Sequence, residues 1–140
     1  MKKKILFLVI LFFSAFILNF IWENLHSVLY LSNTIRIDSF LGLMLYAAIN
    51  DAFIILGVYL FISLINKKIR WNINRNNILI YSSLLLITAI IIEVRALLTG
   101  RWVYAEMMPT IFSIGITPLI QLAVTGLLSV FISQKIVPSS

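Results

Sequence analysis

Four apolar runs separated by short polar connections constrain this chain more than any other feature. They cover about residues 5–31, 40–65, 78–98 and 111–133, and each reaches the roughly 20 residues that a helix needs to cross a bilayer. A strand would cross in about ten residues with alternating polarity, and no such alternation is present. Hydrocarbon offers no partner to backbone N–H and C=O groups, so each run is expected to be a helix. Short connections force consecutive spans to be antiparallel. The expected fold is therefore all-α: a single transmembrane domain over residues 1–140, folded as an up-down-up-down four-helix bundle. Composition agrees, because 61% of the 140 residues are hydrophobic and only 11% are charged, outside the range of soluble domains.

Orientation follows from where the basic residues fall. Lys2, Lys3 and Lys4 precede the first run, Lys67, Lys68, Arg70 and Arg75 lie between the second and third, and Lys135 follows the fourth; Arg36, Arg95 and Arg101 fall on the other side. Eight against three places both termini in the cytoplasm by the positive-inside rule, in a multi-pass protein of the inner or plasma membrane. The net charge of +6 is then orientation and contact with anionic headgroups, not nucleic-acid binding. Lys2–Lys4 followed by an apolar stretch has the outline of a signal peptide, but Ser14-Ala15-Phe16 runs on into Ile17, Leu18, Phe20 and Ile21 with no small-x-small site before polar sequence. An uncleaved first helix is expected. Ser32 to Ser39 reads as a short outer connection, residues 66–77 as a basic cytoplasmic loop with Trp71 as an interfacial anchor, and residues 99–110 as a second outer loop.

Against this background a few polar residues need a reason, since unpartnered polar groups are penalised in hydrocarbon. Trp22-Glu23-Asn24-Leu25-His26 ends the first run and holds the only histidine. Asn19, Glu23, His26 and Tyr30 are spaced by four, three and four residues, on one stripe of a helix. Ser113, Thr117, Gln121 and Thr125 form a comparable stripe on the fourth run. Asn50 and Asp51 sit in the second and Glu93 near the outer end of the third. Helical rise puts Glu23 and His26 near the outer boundary, Glu93 about 8 Å beneath it, and Asp51 and Gln121 near the midplane. A cavity opening outward is expected from this distribution. Arg101, Trp102 and Tyr104 lie in the loop above it, either as part of the aromatic belt or as a lid. Pro118 is expected to kink the fourth helix, and Gly115 and Gly126 to allow close packing.

The chemistry follows from the residue types. The absence of cysteine excludes thiolate catalysis, and with no nucleophile elbow and no phosphate-binding loop, serine hydrolysis and nucleotide use are not expected. Glu23, His26, Asp51 and Glu93 are the candidate acid-base residues, with Asp51 as proton donor by virtue of depth and Glu23 as ionised base. Trp22, Asn24, Tyr30, Asn50, Arg101, Trp102, Tyr104 and Gln121 are candidate substrate contacts. Asn19, Thr117 and Gln121 also read as interhelical hydrogen-bond glue. Glu23-x-x-His26 has the spacing of half a di-metal site; one histidine cannot complete it, which leaves a single divalent metal held by His26, Glu23, Asp51 and Glu93 as the alternative cofactor reading. An ion-pair network with Arg95 or Arg101 is the structural alternative.

In layout, a small bundle with intramembrane His, Glu, Asn and Trp resembles the emopamil-binding-protein-like sterol isomerases and looks like small prokaryotic four-helix membrane families of unassigned function. The first resemblance implies buried acids acting on a lipid-soluble substrate, by isomerisation, cyclisation or hydration. A first-helix glutamate is also similar to that of small multidrug-resistance-like exporters, which implies a homodimer exchanging protons for a cation. Binding of a lipid or isoprenoid without turnover, and an accessory role, complete the expectations.

Overall fold

The computed structural model describes residues 1–31 and 37–138. Of the expected outer connection from Ser32 to Ser39, residues 32–36 lie outside them, and the rest belongs to the second helix. Helix α1 spans Lys2–His26 and tightens into a 3₁₀ turn at Ser27–Leu29; α2 spans Ile37–Ile65 and α3 Arg75–Leu98; a short hairpin of β1, Thr110–Ile111, and β2, Ile114–Gly115, leads into α4, Ile116–Ile136. Among the described residues, four helices are long and apolar enough to cross a membrane. Helix α1 packs on α2 and α4, α4 packs on α3, and α2 touches α3 more lightly.

Each helix is apolar almost all round, yet only one stripe of it is buried. On α1 the buried stripe is Phe7, Leu11, Ala15, Asn19 and His26, while Ile5, Val9, Phe13, Ile17 and Ile21 stay exposed on the other side. An exposed apolar face opposite a buried one is what contact with lipid requires. Small residues mark where the helices approach closely. Ala15, Ala48, Ala52 and Ala89 are all buried, and a Cβ on Gly126 of α4 would stand 2.5 Å from Leu85 Cδ1 of α3. Gly115 is as tightly held, with Met108 Sδ and the Tyr104 ring 3.1 Å from where its Cβ would be.

Three local expectations are corrected. The fourth helix begins at Ile116, five residues later than the apolar run suggests. Phe112 and Ser113 take left-handed backbone angles, φ 50° and 65°, which turns the chain back on itself, and the Ile116 N–H closes the turn on Pro109 O at 2.8 Å. Ile111, Phe112 and Ile114 prolong the hydropathy signal without prolonging the helix. Ser113 thus leaves the α4 stripe. Pro118 falls in the first turn of α4, where its missing N–H has no helical partner to lose, so no kink is required. Trp71 is buried rather than interfacial: the segment after α2 folds under the helices and stacks the indole between Tyr59 and Tyr81, with ring centroids 5.1 and 5.7 Å away.

Candidate functional site

The site is assembled where the last turns of α1 meet the middle of α2, the end of α3 and the start of α4. Gln121 lies in the second turn of α4, and its Nε2 is 2.8 Å from Glu23 Oε1, 2.9 Å from Asp51 Oδ2 and 3.1 Å from Asn19 Oδ1. One side-chain amide therefore ties α1, α2 and α4 together. Thr125, one turn further on, donates to the same Asn19 Oδ1 at 3.1 Å and also to Gln121 O at 2.8 Å. Asn19 donates back to Ala15 O at 2.8 Å.

Hydrogen counting makes this cluster unusual. An amide nitrogen carries two hydrogens, and three acceptor oxygens surround it. Asn19 Oδ1 also receives the Thr125 hydroxyl, so the two amide hydrogens fall to Glu23 Oε1 and Asp51 Oδ2, and among the described residues the second oxygen of each carboxyl group has no donor within hydrogen-bond distance. The meeting of Glu23 and Asp51 on one atom corrects the depth assignment, in which Asp51 and Gln121 lie at the midplane and Glu23 at the boundary. Because α4 starts late, Gln121 is only roughly 8 Å along it, and α2 brings Asp51 to the same level. Depth thus gives no basis for dividing donor and base between the two acids.

Glu93 forms the second half of the site. It is 4% exposed, and its Oε2 accepts from Tyr104 OH at 2.5 Å and from Trp102 Nε1 at 3.3 Å. Tyr104 OH in turn accepts the Gly115 N–H at 3.0 Å. Two loop residues therefore clasp the Glu93 carboxyl group. The loop is also stitched to the end of α1: Leu31 N–H donates to Val103 O at 2.9 Å and Ala105 N–H to Leu29 O at 2.8 Å.

Between the two halves lie His26 and Tyr30. His26 Nδ1 is 2.9 Å from Trp22 O, and a carbonyl can only accept, so Nδ1 carries the proton and Nε2 remains for another partner. The same Nδ1 is 4.0 Å from Glu23 Oε2. The rings of His26 and Tyr30 meet edge-on at 5.3 Å, and Tyr30 contacts Trp102 and Tyr104 at 6.1 and 5.6 Å. Beyond the last turn of α1, the Tyr30 hydroxyl is held in its neutral form far above the usual tyrosine range, first by burial and then by the charges of Glu93, Glu23, Tyr104 and Asp51. Tyr104 is pushed up to about 12, first by burial and then by its hydrogen bond to Glu93.

Other expected contacts stand apart. Asn50 is exposed and its amide returns to Tyr46 O at 2.7 Å; as the neighbour of Asp51 it points a helical step away from the cluster. Asn24 is half-buried and bonds Phe20 O at 2.7 Å, one turn back on its own helix. Arg101 and Arg95 are exposed, and the one ion pair among the described residues is His26–Glu23, so the arginine network is not formed there. No three His, Asp or Glu side chains among the described residues converge with the spacing of metal ligands. The recess adjoining the cluster measures 290 Å³ and is lined by Trp22, Leu25, His26, Val28 and Leu29. The Trp22 Nε1 hydrogen is buried without an acceptor among the described residues. Asn19, read as glue from sequence, and Thr125, read only as part of the stripe on the fourth run, complete the acid network; the helical spacings on α1 and α4 were the available signal.

These features define a class: an all-helical, multi-pass membrane protein with a buried carboxylate cluster at one end of its bundle. Comparison with protein-family models, curated proteins and solved structures found no match.

Proposed function

We propose that the chain transfers protons within the membrane to or from a lipid-soluble, isoprenoid- or lipid-like small molecule, as an isomerase- or cyclase-type enzyme. The observation that carries this reading is the sharing of one Gln121 amide by Glu23 and Asp51. Two carboxyl groups with too few donors between them hold an exchangeable proton, which is the requirement for general acid-base work. His26 takes its place between this pair and the apolar-walled recess, where its unprotonated Nε2 can accept a proton from a bound molecule. Glu93, fixed by Tyr104 and Trp102, sets the local field. The bundle runs up-down-up-down with both termini in the cytoplasm and the cluster toward the outer face.

The test is solvent-deuterium incorporation. Purified protein in lipid nanodiscs, incubated in heavy water with a neutral-lipid extract of its host, is expected to add deuterium to one lipid species. Asp51→Asn and Glu23→Gln are expected to abolish the incorporation while remaining folded; incorporation undiminished in both variants overturns the proposal. A second reading, proton-coupled export by a homodimer, is favoured by the absence of any Lys or Arg paired with the three acids among the described residues. Cation-dependent proton flux in proteoliposomes, without deuterium in any lipid, would select it.

A further inference from the structure

The opposite end of the molecule carries a different chemistry. Lys4, Lys67, Lys68 and Arg70 line an open recess of 730 Å³ with Leu60 and Leu64 in its apolar wall. Among the described residues none of these cations is ion-paired, since the one such pair is His26–Glu23. Arg70 is held rigidly: a guanidinium nitrogen donates to Val137 O at 2.6 Å, and the group lies over the Phe7 ring at 4.9 Å. Its Nε is buried and has no acceptor among the described residues. The group is only half-buried where it lines the recess, and its other terminal nitrogen can donate to a phosphate oxygen there.

The backbone adds a second sign. Lys68 N–H bonds Ser63 O at 3.0 Å and Lys67 N–H bonds Leu64 O at 3.1 Å, the pattern that ends a helix in a left-handed residue. That residue is Lys67, with φ 53°, where glycine is the unstrained choice. A cation stands at the mouth of the recess in spite of the backbone preference.

We propose that this recess binds the phosphate headgroup of an anionic phospholipid, with the lysines and Arg70 on the phosphate and the first acyl carbons along Leu60 and Leu64. The site is specific, unlike the diffuse attraction of any basic loop for a charged leaflet. It does not depend on the proposed acid-base function.

Native mass spectrometry of the full chain in detergent, titrated with phosphatidylglycerol, phosphatidylcholine or inorganic phosphate, tests it. Phosphatidylglycerol is expected to be retained in preference to phosphatidylcholine, with inorganic phosphate a weak competitor. The double variant Lys67→Gln, Lys68→Gln changes exposed side chains and is expected to weaken retention about thirtyfold, the effect of two basic residues beside an anionic group. Lys2→Gln, Lys3→Gln removes the same charge from the same end outside the recess and is expected to weaken it by less than about threefold. Equal losses in the two double variants, equal retention of phosphatidylcholine, or competition by inorganic phosphate as strong as by the lipid would each overturn the assignment.

Discussion

At the scale of single residues, Gln121 and Tyr104 organise the two halves of the cluster by opposite means. Gln121 supplies hydrogens to acceptors that have too few, so Gln121→Leu leaves Glu23, Asp51 and Asn19 without their shared donor. A loss of about 1–3 kcal/mol in unfolding free energy is expected, measured by denaturant titration in detergent micelles. Asp51→Asn should be neutral or stabilising in the same titration, because an amide brings its own hydrogens to a cluster short of them. Tyr104 acts by donating to Glu93, and its effect can be read against pH. Its hydroxyl is raised from an ordinary value of 10.0 to about 12 in the folded protein, so the folded state favours the protonated form. The stability this provides is complete below pH ~10 and is lost as pH rises through about 12. Thermal melts between those limits should therefore fall more steeply for the native chain than for Tyr104→Phe. Equal slopes would mean that the clasp on Glu93 does not discriminate between the two forms of the phenol.

At the scale of elements, the contact of α3 with α4 depends on Gly126, where a Cβ would meet Leu85 Cδ1 at 2.5 Å. Gly126→Leu is expected to cost about 1–3 kcal/mol through overpacking, and Leu85→Ala in the same chain should return part of that loss. Failure of the second change to help would place the strain at Tyr81 or Ile55 instead, the other neighbours of the site. The four helices were legible from hydropathy because each crosses on length alone; their ends were not. The start of α4 was missed because apolar residues continue through the hairpin, and hydropathy cannot distinguish Ile111 in a strand from Ile120 in a helix. The stripe Asn19, Glu23, His26, Tyr30 was legible because its spacing needs only helical periodicity. The convergence of Asp51 with Glu23 was not, since it depends on the relative heights of α1, α2 and α4. Asn50 and Asp51 are adjacent in sequence, and only packing decides which of them enters the bundle. Trp71 illustrates the same point, because an indole after a span suits an interface or a core equally until the loop is folded.

At the scale of the whole molecule, the two ends differ in charge in a way that ties orientation to function. Glu23, Asp51 and Glu93 gather at the end where α1 closes on the α3–α4 loop, whereas Lys4, Lys67, Lys68 and Arg70 line the recess at the other. Basic residues are retained on the cytoplasmic side during insertion, so the recess should face the cytoplasm and the acid cluster the outer leaflet. The chain has no cysteine, which makes single introduced thiols unambiguous. Asn72→Cys lies in the basic loop at an exposed position, and Val103→Cys is exposed beside Trp102 and Tyr104. A membrane-impermeant maleimide applied to intact cells is expected to label position 103 and to reach position 72 only after the membrane is opened. The opposite pattern would turn the molecule over. The carboxylates would then draw their protons from the cytoplasm, and the basic recess would meet the outer leaflet, where the inner leaflet's anionic lipids could not fill it.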